Sequence, residues 1–324
     1  MLHDAPSAVI AGTGSYLPVK VMTNADMAKI VDTNDEWIVA RTGIKARHIA
    51  DSEYETTSFM ASEAAKKALE AAQLKPEDID AIIVATTTPD LTFPSVAAQV
   101  QAMLGVPPCV AFDVQAVCSG FLYALSVADK FIKTKSAENI LVIGAERMSK
   151  ILDWNDRTTC VLFGDGAGAV VLKAHGDTKR GVIATNLYAD GRLKDILLTS
   201  GGTATTGDAG MIQMQGKDVF KYAVTFMAEM VDDILKQADV KREEINWLVP
   251  HQANLRIISG AAQKLGLPME QVIITLDSHG NTSAASIPLA LDQGVRDGRI
   301  KQGQMLLMEA VGGGLTWASA LVRY

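Results

Sequence analysis

Cys118 is the residue of this sequence whose type and setting best fit nucleophilic catalysis. It lies in the stretch 111–125, AFDVQAVCSGFLYAL, which predicts a short apolar strand, a tight turn and a helix that opens at the cysteine. A thiol at a helix N-terminus faces the positive end of the helix dipole and unpaired backbone N–H groups, which lower its pKa and favour the nucleophilic thiolate. The same N–H groups can hold an oxyanion. A lone cysteine is also typical of a small buried apolar residue, so its partners must decide between the two interpretations.

Two further polar residues follow predicted apolar strands, as Cys118 does. His251 stands in PHQANLR and Asn281 in HGNTSAAS. An imidazole N–H and a side-chain amide are neutral donors that can stabilise a developing negative charge. Each has a purely structural alternative, since His251 could be a satisfied core histidine and Asn281 a turn residue before a helix cap at Thr282. Because α/β folds bind ligands where strands end, we expect the three side chains to meet in one site.

The composition is that of a globular α/β protein and excludes several classes. The 324 residues are 48% apolar and 6% aromatic, with 26 glycines and a formal charge of −7. An acidic chain lacks the basic surface that nucleic acid requires. The three cysteines show no CxxC spacing, which argues against a disulfide framework or a zinc site and favours a reducing compartment. With no basic leader and no apolar run near the ~20 residues of a bilayer span, we predict a cytoplasmic protein with no metal, membrane or nucleic-acid partner.

Strands and helices alternate along the predicted chain. We predict strands at 7–12, from Ala81, from Ile140 and from Gly168, and helices capped at Asn24, over 35–42, over 57–73 and from Pro94. The same order then begins again after His175.

This second occurrence is an internal repeat. Three pairs of matching positions are separated by 164 to 166 residues: Asp78 and Glu244, Asp113 and Asp277, and Leu141 and Leu306. Such a repeat predicts an α/β fold built from a duplicated module, residues 1–174 and 175–324, related by a pseudo-twofold axis. A single site is expected where the equivalent loops meet.

Taken together, the three motifs resemble those of the thiolase-like condensing enzymes. Within that superfamily VCSG, PHQANLR and HGNTSAAS look like the motifs of the β-ketoacyl-acyl carrier protein synthase III family, and the likeness extends from GTGSYLP to ALVRY. The resemblance implies a thiolase-like fold layered αβαβα. It also implies a decarboxylating Claisen condensation of a short acyl-CoA primer, acetyl-CoA foremost, with malonyl-acyl carrier protein, which initiates type II fatty-acid synthesis and needs no cofactor beyond the CoA thioester substrate.

The same resemblance assigns roles to individual residues. It implies that Cys118 accepts the acyl group, that His251 and Asn281 stabilise the enolate of the malonyl thioester, and that the backbone N–H groups of Cys118 and Gly313 form a second oxyanion hole. The CoA-binding residues that it implies are Thr33, Trp37, Arg41, Arg157, Gly216, Phe220, Ala253 and Asn254. Among these, Trp37 and Arg157 are expected to sandwich the adenine.

Protein partners follow from the resemblance as well. It implies a homodimer in which Phe93 enters the partner's acyl pocket and limits primer length. An acidic acyl carrier protein needs a basic patch, for which we expect Lys221, Arg256 and Lys264.

Other functions remain open at this point. A related condensing enzyme of secondary metabolism would share the triad and use another primer or acceptor. A biosynthetic thiolase fits less well, because it would use a second cysteine in the C-terminal half, where this chain has none. A non-enzymatic CoA-binding module is disfavoured by the intact triad.

Overall fold

The computed structural model describes residues 5–324. In this part of the chain the strands are β1 Ser7–Tyr16, β2 Val21–Thr23, β3 Ala46–His48, β4 Ala81–Ala85, β5 Val110–Val114, β6 Asn139–Arg147, β7 Asp165–His175, β8 Gly181–Ala189, β9 Leu197–Thr199, β10 Ile212–Met214, β11 Trp247–Pro250, β12 Met305–Gly312 and β13 Thr316–Arg323. The α-helices are α1 Asn24–Met27, α2 Asp35–Thr42, α3 Thr57–Ala72, α4 Val96–Leu104, α5 Gly120–Lys133, α6 Gly216–Ala238, α7 Leu255–Leu265, α8 Leu276–His279 and α9 Ser286–Arg296.

Two large sheets share one plan. The first has the order β1-β7-β6-β4-β5 and the second the order β8-β13-β12-β11. In both sheets the first three strands of this order pair antiparallel. The remaining strands pair parallel. The fifth position of the second sheet is reduced to one bridge between Leu248 and Val272. This matched order is the duplicated α/β module that the repeat predicts.

Apolar burial divides the molecule into layers. Helices α5 and α9 lie between the sheets, where Phe121 and Leu291 share a core with Val142 of the first sheet and Leu306 of the second. Helices α3 and α4 cover the outer face of the first sheet, and α6 and α7 cover that of the second. The layers are therefore α, β, α, β, α, as the thiolase-like interpretation predicts.

The central helices follow from their sequence pattern. In α5 the buried residues include Phe121, Leu125, Ala128 and Ile132, at the three- and four-residue spacing of a helix face.

No helix in residues 5–324 combines the length and the apolar character needed to cross a bilayer.

Several predicted boundaries differ from the structure. Helix α1 is capped by Thr23 rather than Asn24, because Thr23 and Asp26 form a reciprocal capping box. Helix α4 begins after Ser95, whose hydroxyl accepts from Ala98 N, and not at Pro94. The α-helix predicted to open at Cys118 begins at Gly120, after a 3₁₀ turn at Val117–Ser119.

Candidate active site

The three predicted catalytic side chains line one cavity of about 130 Å³. Cys118 comes from the turn after β5, His251 from the turn after β11, and Asn281 from the segment between α8 and α9. The cavity is completed by the apolar inner side of α6 and by the start of α7. Its other lining residues are Leu162, Phe163, Leu197, Met214, Gly216, Val219, Phe220, Ala223, Met227, Ala253, Asn254, Ile257 and Val311.

Cys118 sits in a strained and crowded turn. Val117 before it has φ of +49°, in the left-handed region that β-branched residues disfavour. Gly312 of β12 approaches so closely that a Cβ there would lie 2.7 Å from Cys118 N. The end of the second sheet is thereby held against the backbone of the nucleophile, and only glycine permits this approach.

The thiol does not have the lowered pKa that the sequence predicts. Burial, together with the charge of nearby Glu146, raises the pKa of the Cys118 thiol to about 12. A hydrogen bond from the nearby Ser283 hydroxyl to the sulfur would act in the opposite direction. Burial of the sulfur raises the pKa more than the backbone N–H groups of the turn lower it, so Cys118 is a thiol in the free protein.

His251 is neutral and its ring is oriented by a serine. Burial lowers the pKa of His251 to about 3. Its Nδ1 lies 2.6 Å from Ser286 Oγ, which accepts from Gln252 N at 3.4 Å. The hydrogen of the Ser286 hydroxyl has no other acceptor among the described residues, so we assign its donation to Nδ1, which places the ring hydrogen on Nε2. His251 can then act as a neutral donor.

Asn281 is fixed through its backbone and its side-chain oxygen. Its N–H donates to Leu162 O at 2.9 Å, and its carbonyl accepts from Gly164 N at 3.0 Å. Its Oδ1 accepts from Ser283 N at 2.9 Å. With the amide oxygen engaged, the NH₂ group is the part of the side chain left to act as a donor.

Cys118 also borders a second cavity of about 120 Å³, on the side of the turn away from His251. It is mostly apolar and contains Gly313, the predicted oxyanion-hole residue. Its lining residues are Thr87, Gln115, Val117, Cys118, Met148, Ile151, Phe163, Leu197, Leu198, Thr199, Ile212 and Gly313.

The residues predicted for the CoA nucleotide form a separate cluster at the surface. The Arg41 and Arg157 guanidinium carbons lie 4.7 and 5.4 Å from the centre of the Trp37 ring. Arg157 is held by a 2.7 Å bond to Asp32 O. Thr33 precedes α2, with a buried Oγ1 that has no partner among the described residues.

Asn254 joins this cluster to the cavity. Its Oδ1 caps α7 by accepting from Arg256 N, and its Nδ2 donates to Arg41 O at 2.9 Å. The residues predicted to line the pantetheine tunnel, Gly216, Phe220, Ala253 and Asn254, all line the cavity that holds the triad.

Of the predicted basic patch, Lys221 and Arg256 lie near the starts of α6 and α7 beside cavity-lining residues, whereas Lys264 lies at the far end of α7. The Arg256 guanidinium carbon is 5.0 Å from the centre of the Phe220 ring, and Lys221 lies over Tyr222 at 5.8 Å. Lys264 is 3.4 Å from Asp232, so part of its charge is already paired.

Phe93 does not reach either cavity of its own chain. Its side chain is 82% exposed, and Leu91 nearby is 51% exposed. A large aromatic group in water has no packing role within its own chain.

Three site residues were missed from the sequence. Glu146 and Ser283 are buried beside Cys118, and Ser286 contacts His251. The signal for two of them was available, because Ser283 and Ser286 belong to the HGNTSAAS motif and are spaced three apart. No group of three or more His, Cys, Asp and Glu side chains in residues 5–324 could hold a metal ion.

Comparison with known proteins places this geometry in a class. Two profiles match the chain, 3-oxoacyl-[acyl-carrier-protein (ACP)] synthase III over residues 112–191 and its C-terminal region over residues 235–324. The curated β-ketoacyl-[acyl-carrier-protein] synthase III of Rhizorhabdus wittichii is 60% identical over 98% of this chain and 99% of its own.

Solved structures agree. The crystal structure of 3-oxoacyl-[acyl-carrier-protein] synthase III from Aquifex aeolicus is 52% identical, with a TM-score of 0.93 over 98% of this chain and all of that one. The priming β-ketosynthase of the R1128 polyketide pathway is 34% identical, with a TM-score of 0.92 over 98% of this chain and 96% of that one.

The fold is that of a thiolase-like condensing enzyme, an acyltransferase class. More narrowly, the chain belongs to the 3-oxoacyl-[acyl-carrier-protein] synthase III family. The fold class and the family predicted from the sequence are confirmed.

Proposed function

We propose that this chain catalyses the decarboxylating Claisen condensation of acetyl-CoA with malonyl-acyl carrier protein, which gives acetoacetyl-acyl carrier protein, CO₂ and CoA. This reaction initiates type II fatty-acid synthesis. The observation that carries the proposal is the convergence of Cys118, His251 and Asn281 on one mostly apolar cavity, in a chain 60% identical to a curated member of the family.

The first step is acyl transfer to Cys118. The sulfur attacks the thioester carbonyl, the bond between that carbon and the CoA sulfur breaks, and the thiol proton ends on the departing CoA. One thioester replaces another, so the exchange is close to thermoneutral. The apolar second cavity beside Cys118 suits the acyl chain, and Gly313 there would supply an N–H to the tetrahedral oxyanion together with Cys118.

Decarboxylation is the second step. The malonyl group loses CO₂, and the electrons of the broken C–C bond pass to the thioester oxygen as an enolate. His251 Nε2–H and the Asn281 amide are the two neutral donors for that oxygen. Their neutrality suits the task, because a buried cation there would hold the malonyl carboxylate and oppose its loss.

The third step forms the product. The enolate carbon attacks the acyl carbonyl on Cys118, the C–S bond breaks, and the cysteine leaves as a thiolate that takes up a proton. That proton is the one consumed overall. It neutralises the negative charge that the malonyl carboxylate leaves on the enolate, and then on the sulfur, when CO₂ departs.

We assign the surface cluster around Trp37 to the CoA nucleotide. Adenine offers a flat π face to Trp37, and Arg41 and Arg157 offer charge to the phosphates and a plane to the base. Asn254 connects this cluster to the cavity, which suits a ligand that runs from one to the other.

We assign the exposed apolar surface at Phe93 to a second copy of the chain. Strand β5 is the edge of the first sheet, and its residue Val110 is 47% exposed. An unpaired apolar edge strand is a template for pairing with its own copy. In such a homodimer Phe93 would enter the partner's acyl cavity.

Organisation and location complete the proposal. The five strands of the first sheet end at His175 and the strands of the second begin at Gly181, which supports units of 1–174 and 175–324. Cys109, Cys118 and Cys160 are all free, which supports the cytoplasm as the location.

A priming enzyme of secondary metabolism is the second candidate function. The chain is 34% identical to the polyketide enzyme and 52–60% identical to the synthase III enzymes, which favours fatty-acid synthesis.

The test separates the two tasks of the triad. Intact mass should show one acetyl group on Cys118 after incubation with acetyl-CoA, and acetoacetyl-carrier protein should form when malonyl-carrier protein follows. Cys118→Ala should block labelling yet retain decarboxylation, while Cys109→Ala serves as the matched control. Asn281→Ala should keep labelling and slow decarboxylation by roughly 10²–10³, the usual scale for one oxyanion-hole donor. Decarboxylation at the parent rate in Asn281→Ala would overturn the enolate assignment.

A further inference from the structure

Glu146 is a buried carboxylate beside Cys118 that the reaction described above does not use. It is the next-to-last residue of β6 and has no exposed surface. Its Oε2 accepts from Thr88 Oγ1 at 2.5 Å, from Thr87 N at 3.1 Å and from Thr86 Oγ1 at 3.3 Å. Its Oε1 accepts from Thr87 Oγ1 and from Ser283 Oγ, both at 3.0 Å.

This set of donors connects two parts of the site. Thr87 lines the apolar cavity next to Cys118, whereas Ser283 belongs to the Asn281 turn. Glu146 therefore joins the wall of the proposed acyl cavity to the segment that carries the proposed enolate donor.

Ser283 is the connection that bears on the chemistry. Its backbone N–H donates to Asn281 Oδ1 at 2.9 Å. This bond fixes the orientation of the amide, with the oxygen towards Ser283 N and the NH₂ group on the other side. Ser283 has φ of +50°, a conformation that a non-glycine residue adopts only when its surroundings hold it. The bond from its hydroxyl to Glu146 is one of the contacts that hold it.

The Ser283 hydroxyl has one hydrogen and two acceptors within reach. One is Glu146 Oε1, and the other is the sulfur of Cys118. A carboxylate oxygen is a far better acceptor than a thiol sulfur, so the hydrogen goes to Glu146 in the free protein.

We propose that Glu146 is a positioning residue for the condensation: it fixes Ser283, and through Ser283 the Asn281 amide, and it competes with Cys118 for the Ser283 hydroxyl. The inference rests on the proposed function for the role of Asn281. Its second half concerns Cys118 alone and holds for any chemistry at that thiol.

The electrostatics agree with the geometry. The titratable groups that face Cys118 are Glu146 from β6 and the neutral His251 from the turn after β11. The other elements packed on the turn contribute uncharged residues, Gly312 from β12, Thr316 from β13 and the segment 281–285. Burial raises the pKa of Glu146, and the hydrogen bonds from Thr88, Thr87 and Ser283 oppose this rise by favouring the carboxylate. The charge of Glu146 raises the pKa of the Cys118 thiol, whereas a hydrogen bond donated by Ser283 to the sulfur would lower it.

Glu146→Gln should reverse the competition. In the glutamine, the amide oxygen suits the position of Oε2, because that position accepts hydrogen bonds from Thr86, Thr87 and Thr88. The NH₂ group then takes the position of Oε1 and faces Ser283 Oγ. The amide then donates to Ser283, and the serine hydrogen is released to Cys118 while the negative charge is gone. Both changes lower the thiol pKa.

The experiment measures alkylation of Cys118 by iodoacetamide from pH 6 to 10, with the modified peptide quantified by mass spectrometry. Glu146→Gln should move the profile to lower pH and raise the rate at pH 7 by about three- to tenfold, since one pKa unit is a tenfold change in thiolate. Glu138→Gln is the matched control, because Glu138 is exposed and precedes the same strand. An unchanged profile in a folded Glu146→Gln protein would overturn the proposal.

Ser283→Ala gives a test that does not depend on the folding of Glu146→Gln. If the hydroxyl serves Glu146 in the free protein, its removal should leave the Cys118 profile in place while decarboxylation of malonyl-carrier protein falls several-fold. A shift of the profile to higher pH would show that Ser283 already donates to Cys118, which contradicts the competition. Alkylation needs no acyl substrate, so failure of the proposed function would show separately, as a parent protein that acetyl-CoA does not label.

Discussion

At neutral pH the proposed reacting side chains carry no charge in the free protein. Burial raises the pKa of Cys118 to about 12 and lowers that of His251 to about 3. An ion pair of thiolate and imidazolium is therefore absent from the resting site. The thiolate has to form together with attack on the thioester, where charge passes directly to the carbonyl oxygen and the backbone N–H groups.

Trp37 is the residue whose proposed role is easiest to isolate. Trp37→Ala should raise KM for acetyl-CoA by about tenfold, because a stacked base contributes about 1–3 kcal/mol. Acetyl-pantetheine, which lacks the nucleotide, should be used at the parent rate. Initial rates of Cys118 acetylation with both substrates make the measurement, and Trp247→Phe on β11 is the control. Equal loss with both substrates would make Trp37 a packing residue of α2.

Residue types and spacing predicted that three side chains meet in one cavity, but not what surrounds them. Cys118, His251 and Asn281 each follow a strand, so topology alone brings them to one place. The raised thiol pKa could not be read from the sequence, because it depends on depth of burial and on Glu146, which is 28 positions away along the chain. Charges from distant segments and exclusion of water are properties of the packed structure.

At the scale of elements, α6 and α7 form the wall between the cavity and the protein surface. Arg256 of α7 lies over Phe220 of α6, so its guanidinium is held at the cavity mouth. Arg256→Glu should reduce kcat/KM for malonyl-carrier protein by about tenfold or more, because it reverses a charge that faces an acidic partner. Acetyl transfer from CoA to Cys118 should change little.

The measurement compares the two half-reactions at low and at 0.5 M salt. Lys179→Glu, in the exposed turn before β8, controls for net charge. Parallel loss in both half-reactions of Arg256→Glu would assign the residue to CoA binding or to the structure of α7.

Element boundaries show where local patterns are insufficient. The first strand is predicted over 7–12, yet β1 continues to Tyr16. A Cβ at Gly12 would lie 2.3 Å from Ala68 O of α3, so this glycine permits close packing of the helix and does not end the strand. Only the tertiary contact shows whether a glycine ends a strand or permits a helix to pack closely against it.

At the scale of the whole molecule, Phe93 is expected to act on the partner's site. Phe93→Ala should let octanoyl-CoA and longer primers acylate Cys118 at least about tenfold faster relative to acetyl-CoA, because the aromatic ring no longer ends the cavity. Competition labelling with mixed acyl-CoA thioesters measures the ratio, and Leu91→Ala is a matched change in the same exposed turn. Lower stability with unchanged primer selectivity would contradict this role.

Glu309 should make the stability of the whole molecule depend on pH. It is fully buried in β12, neither carboxyl oxygen has a partner among the described residues, and burial raises its pKa to about 8. The folded protein keeps this proton up to about pH 8, whereas the unfolded chain releases it near the ordinary value of 4.5. The free energy of unfolding therefore falls as pH rises between these values, by at most about 1.4 kcal/mol per pH unit from this group.

Glu309→Gln cannot ionise and should lose this dependence. Its free energy of unfolding, relative to the parent, should increase from pH 5 to pH 8 and level off above. Urea unfolding across this range measures the difference, with the exposed Glu229→Gln as control. A difference that stays constant with pH would show that Glu309 is ionised or hydrated in the folded state.

The sharing of one inner layer by α5 and α9 has a consequence for how the chain can be divided. The segment 176–180 is a surface connection between the sheets, and a cut there would separate the two repeats neatly in sequence. Each fragment would nevertheless keep only one of the two central helices and expose the inner face of its sheet to water. The fragments should be insoluble when expressed singly and should complement each other when co-expressed, because each repeat needs the other's central helix to cover its sheet.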